Sequence, residues 1–216
     1  SEPQFDLDNL RAWKEGVVNK LTGGLGQLSK QRKVDFIRGR AAFLDSRTLK
    51  IEGQGGERRL VFENAIIATG SRPAAPRALS IDGPRAPCIM DSTGALELDD
   101  IPKTMLVVGG GYIGLELGTV YAALGTRVSL VEMTSGLLPG VDRDLVSILA
   151  RRVDQIFHSV MLNAKVVEMK EEKNGVRVRI EGAEIGGDES VYEKVLVAVG
   201  REPNSGGLGL EKTKVI

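Results

Sequence analysis

Among its 216 residues the chain has one cysteine and one histidine. A lone Cys cannot close an internal disulfide or build a Cys-cluster metal site. A lone His excludes the common His-based zinc sites. Aromatic residues are scarce, at 4%. No run of about 18 apolar residues is present, which excludes a helical membrane span, and no cationic, apolar leader opens the chain. Net charge is also missing: 29 Lys and Arg balance 29 Asp and Glu, which argues against a bulk electrostatic grip on nucleic acid. These absences lead us to expect a soluble, cytoplasmic protein with no nucleic-acid partner. Hydrophobic residues at 42% and charged residues at 27% make a globular mix, and the length suits one or two domains.

Glycine is plentiful, with 27 residues. Without low complexity, that much Gly implies turns and close backbone approaches, as at phosphate sites.

The first segment reads as a helix, because Leu7, Leu10, Trp13, Val17, Leu21, Leu25 and Leu28 recur every three or four residues. Gly23, Gly24 and Gly26 interrupt it at about 1 kcal/mol each. They predict either a break there or a bare backbone face that meets a cofactor or neighbour. Short strands follow at Val34–Ile37, Ala41–Leu44, Thr48–Ile51, Leu60–Phe62 and Ala65–Thr69, separated by turn residues. The reading is a small antiparallel meander feeding a buried strand. Residues 72–88, with four Pro and no periodicity, read as a linker.

Beyond it the pattern becomes βαβ. A buried strand at Met105–Val108, a helix at Leu115–Leu124 and a strand at Val128–Val131 are followed by a helix at Leu145–Phe157 and a short strand at Val160–Leu162. A hairpin joins Val166–Met169 to Val176–Ile180, and strands at Val191–Tyr192 and Val195–Val199 complete the series. The expected fold class is therefore α/β: Rossmann-like domains with a parallel sheet plus an inserted antiparallel β-meander. A weak internal repeat is also visible. Residues 65–73 and 194–203 are both apolar runs ending in Gly, then Arg, then Pro.

The turn Gly109-Gly110-Gly111-Tyr112-Ile113-Gly114 carries the chemistry. A GxGxxG alone is a weak signal. Here it follows a buried strand, opens a helix, and precedes Glu132 at the end of the next strand, 18 residues beyond Gly114. Gly109 permits the tight turn, Gly111 lets backbone approach a pyrophosphate, and Gly114 lets helix pack on strand. The helix N-terminus supplies free N–H groups to the phosphates. Glu132 can accept from the adenosine ribose hydroxyls and would repel a 2′-phosphate. Residues 133–136 offer no Arg to welcome one, so NAD is expected over NADP.

Four stretches then carry a resemblance: WKEGVVNKLTGGLGQL at 13–28, AIIATGSRP at 65–73, VVGGGYIGLELGTVYAALGTRVSLVE at 107–132 and VLVAVGREPN at 195–204. Together they resemble the dihydrolipoyl dehydrogenase family of flavoprotein disulfide reductases. That resemblance implies electron flow from a dithiol to a redox disulfide, then FAD, then NAD. The implied partner is a dihydrolipoyl-bearing E2 or related lipoyl protein, and the implied parent is a homodimer. Val166 and Gly200 match positions lining the NAD site. Thr69, Gly70 and Ser71 match a segment that closes over FAD, and Ala41 matches a backbone FAD contact. Tyr112 matches a screen over the flavin, and Glu116 matches a carboxylate paired with a Lys beside it.

The family's N-terminal FAD loop, its Cys-x4-Cys pair and its catalytic His–Glu pair have no counterpart here. Cys88 lies in the linker and His158 at a helix end. No catalytic residue is therefore expected in this chain, which reads as a fragment. Residues 1–95 would be the C-terminal part of the FAD-binding domain, and residues 96–216 the NAD-binding domain and the start of the next. Two alternatives remain open: another NAD(P)-linked flavin disulfide reductase, or a non-catalytic NAD-binding module.

Overall fold

The computed structural model describes residues 5–74, 88–182 and 189–215. In chain order its elements are α1 (Leu7–Gln31), β1 (Arg40–Asp45), β2 (Thr48–Gly53), β3 (Gly56–Val61), β4 (Ser71–Pro73), β5 (Ile89–Met90), α2 (Ser92–Glu97), β6 (Thr104–Val108) and α3 (Tyr112–Ala123). Then come β7 (Arg127–Val131), α4 (Arg143–Ile156), β8 (Ser159–Met161), β9 (Ala164–Glu172), β10 (Gly175–Gly182), β11 (Glu189–Tyr192), β12 (Lys194–Val197), β13 (Arg201–Pro203) and a 3₁₀ turn at Leu210–Lys212. The chain divides into two compact units, residues 1–11 with 73–202 and residues 12–72 with 203–216. The expected boundary at 95/96 coincides with none of these crossings. Most of the expected linker, residues 75–87, lies outside the described residues.

The larger unit is the βαβ pattern made solid. Its sheet runs β5-β12-β6-β7-β8, all parallel. Parallel central strands are covered on both faces, so they are apolar throughout rather than alternating. Met105, Leu106, Val107, Val128, Leu130, Val195 and Leu196 are all fully buried. One face packs on α2, α3 and α4, and the other on the antiparallel meander β9-β10-β11. Gly118 on α3 makes room for the Phe157 ring, whose Cζ would lie 2.7 Å from a Cβ there. Tyr121 on α3 buries its ring and donates its hydroxyl to the Ala95 carbonyl at 2.9 Å. Burial, reinforced by the Asp100 and Asp99 carboxylates, pushes its phenol up to about 12.

The smaller unit holds the antiparallel meander β1-β2-β3, with Phe43 and Ile51 buried and Phe43 edge-on to Phe62 at 5.9 Å. Gly209 lies against the Phe43 backbone, and the Phe43 N–H donates to Leu208 O at 2.7 Å.

Three local expectations give way. The helix α1 runs unbroken for 25 residues through Gly23, Gly24 and Gly26, and a Cβ at any of the three would meet nothing within 4 Å. No break occurs, because these glycines lower helix propensity without obstructing the i→i−4 bonds, and no described residue closes on them. The runs 34–37 and 65–69 are not strands. A strand exists only where another pairs with it, and Phe36 and Ile66 are exposed instead, at 80% and 95%.

Candidate functional site

The site grows from the end of β6. After Val108 the chain turns at Gly109, whose N–H donates to Val131 O at 2.9 Å. Gly109 has φ +109°, and a Cβ there would sit 2.5 Å from Ala198 O. Only glycine fits both the conformation and the neighbour. Gly114, buried in the first turn of α3, is needed for a different reason: a Cβ would lie 2.2 Å from Gly109 O and 3.0 Å from Val107 Cγ1.

Gly111 is unlike both. It precedes α3 with φ −77° and ψ 176°, a conformation open to any residue, and a Cβ there meets nothing within 4 Å. The space beside it is a cavity of about 710 Å³. No side chain caps α3, so its leading N–H groups and the positive end of its dipole are left for a ligand. The loop's own packing explains Gly109 and Gly114. It does not explain Gly111, whose missing side chain keeps a cradle open.

Glu132 follows β7 and is 8% exposed. A buried carboxylate must be hydrogen-bonded, and this one accepts three times. Gly110 N–H donates to Oε2 at 2.7 Å, and the Thr134 N–H and hydroxyl each donate to Oε1 at 2.8 Å. The Gly loop and the acid are thus tied directly together. Gly110 leaves no room for a side chain either, since Leu137 Cδ2 and Glu132 Cγ lie 2.9 and 3.1 Å from its would-be Cβ.

The structure brings Gly109, Gly111, Tyr112, Ile113, Glu132, Val166 and Gly200 together around this one cavity. Tyr112 is 61% exposed at its wall. Gly110 and Gly114 support the loop from behind. Glu116 points from α3 into solvent, with no ion pair among the described residues. Ala41, Thr69, Gly70 and Ser71 are not part of this cavity. Ala41 pairs with Ile51 in the β1–β2 ladder. Thr69 and Gly70 bind Asn204: the Thr69 hydroxyl donates to Asn204 O at 2.9 Å, and the Asn204 N–H donates to Gly70 O at 3.0 Å. His158 lines a separate cavity of about 490 Å³, its Nε2 2.8 Å from an Arg127 guanidinium nitrogen.

Sequence reasoning missed the strap over the loop, residues 133–142. Leu138 N–H donates to Gly110 O at 2.9 Å, and the Arg143 guanidinium binds the carbonyls of Leu137, Leu138 and Val141 at 2.9, 2.5 and 2.7 Å. A signal was available: Arg143 sits at the first position of α4, where the helix dipole disfavours a cation. Lys165 and Met133 also line the cavity and were not anticipated.

A strand–Gly-loop–helix unit with a buried acid at the end of the second strand is the dinucleotide-binding arrangement. The chain matches the pyridine nucleotide-disulphide oxidoreductase family over residues 2–215 and belongs to it. Two curated relatives are both dihydrolipoyl dehydrogenases. The Haemophilus influenzae protein is 46% identical over 205 residues, 94% of this chain and 42% of its own length. The Vibrio cholerae protein is 41% identical over 211 residues, 98% of this chain and 44% of its own. Among solved structures, the HOCl-induced flavoprotein disulfide reductase RclA from Escherichia coli superposes with a TM-score of 0.80 at 28% identity, covering 98% of this chain and 47% of that one. The chain spans less than half the length of the relatives it matches. Among the described residues no helix is long and apolar enough to cross a membrane, and no group of three His, Cys, Asp or Glu residues could hold a metal ion.

Proposed function

We propose that this chain carries the NAD site of a dihydrolipoyl dehydrogenase. The observation that carries the reading is the pairing of an open Gly111 cradle with a buried Glu132 carboxylate on one 710 Å³ cavity. The α3 N-terminus would receive the pyrophosphate, Glu132 the adenosine ribose hydroxyls, and Val166 and Gly200 the walls around the nucleotide. When bound, NAD supplies the hydride acceptor. Tyr112 would screen the flavin until the nicotinamide enters.

The parent enzyme would be a cytoplasmic homodimer with FAD and a redox disulfide, oxidising the dihydrolipoyl arm of an E2 or related lipoyl protein. Residues 1–95 would belong to its FAD-binding part and residues 96–216 to its NAD-binding part. Thr69, Gly70, Ser71 and Ala41 would serve the FAD side, and Glu116 would meet a Lys there. A second reading, a flavin disulfide reductase acting on another thiol pair, draws on the likeness to RclA.

Titration calorimetry tests the nucleotide assignment. The chain should bind NADH more tightly than NADPH, and equal affinities would overturn the reading. The 216-residue chain should form no NADH from dihydrolipoamide, because its single Cys cannot make a disulfide. Turnover dependent on Cys88 would contradict this.

A further inference from the structure

Glu132 has three rotatable side-chain bonds, yet its two oxygens are pinned separately. Oε2 is held by the Gly110 N–H, and Oε1 is held twice by Thr134, through the backbone N–H and the hydroxyl. The hydroxyl has one proton and two acceptors in reach, Glu132 Oε1 at 2.8 Å and Gly136 O at 2.9 Å. The carboxylate is the stronger acceptor, so the hydroxyl donates to Glu132 Oε1. We infer that Thr134 is a specificity-determining positioning residue, whose hydroxyl fixes the direction in which Glu132 presents its charge to the nucleotide ribose.

The inference rests on the NAD reading above. A carboxylate can favour a ribose diol and repel a 2′-phosphate only if its oxygens are held in place, since an unaimed charge loses hydrogen-bond geometry before it loses long-range repulsion. Thr134→Val keeps the β-branched shape and the backbone N–H donor. It removes only the hydroxyl, leaving each carboxylate oxygen a single backbone N–H bond and Oε1 held less firmly.

The test measures NADH and NADPH affinity by calorimetry, alongside melting temperature, for the unaltered protein and for Thr134→Val, Thr134→Ser and Glu132→Gln. Thr134→Val should weaken NADH about five- to tenfold and NADPH less, so that the preference narrows. Thr134→Ser restores a hydroxyl and should restore the preference. Thr134→Val weakening both nucleotides equally, or leaving both unchanged while Glu132→Gln narrows the preference, would overturn the role of Thr134. If Glu132→Gln leaves NADH affinity and the preference untouched, the assignment of the acid to the ribose fails, and the role of Thr134 falls with it.

Discussion

Residues 65–73 and 194–203 carry the same pattern, an apolar run followed by Gly, Arg and Pro, and they end in opposite states. In the second, Val195 and Leu196 are fully buried in β12, paired in parallel with β5 on one side and β6 on the other. In the first, Ile66 is 95% exposed and the run is no strand at all. Propensity is the same in both. What differs is the presence of neighbours to complete the ladder and cover the faces, which decides whether an apolar run becomes a strand. The downstream turns share one feature: Gly70 and Gly200 both have positive φ, 70° and 134°.

The comparison predicts a large asymmetry between the runs and near-equality between the turns. Leu196→Ala should cost about 2–5 kcal/mol in chemical denaturation, the range for emptying a packed core site. A loss below about 1 kcal/mol would mean β12 is not the buried strand described. Gly70→Ala and Gly200→Ala should each cost about 1–2 kcal/mol, because a Cβ is strained at positive φ. No contact within 4 Å adds to the cost at Gly200, and only Asn204 Nδ2 at 3.9 Å is near Gly70. Strongly unequal losses would show that the turns are not equivalent. Ile66→Thr should change stability by less than about 0.5 kcal/mol. A larger loss would mean that the exposed run is packed in solution.

The same contrast explains what could be read in advance. The larger unit was legible because its signals were local and mutually consistent: buried runs of four or five residues, a Gly turn at a strand end, and an acid at the next strand end. Those signals located Gly109, Gly111, Gly114 and Glu132. The smaller unit was legible only in the β1–β3 meander, which brings its own partners. Residues 34–37 and 65–69 look like strands because hydrophobic patterning reports a capacity to be buried, not what is there to do the burying. Thr134 and the strap pinned by Arg143 escaped notice because their hydrogen bonds depend on where a loop folds back, which no periodicity encodes.

Gly111 has a consequence for stability as well as for binding. The helix α3 starts there without a side-chain cap, in a backbone conformation that any residue can adopt and with free space around it. Serine at this position would cap α3 and restrict the unfolded chain, two effects that together favour the folded state by about 1 kcal/mol. The protein therefore rests below the stability its own fold permits. Gly111→Ser should melt at a higher temperature than the unaltered chain while binding NADH poorly. A variant that improves as a folded object and fails as a receptor would mark this glycine as kept for what enters the cavity, at the expense of the helix that begins there.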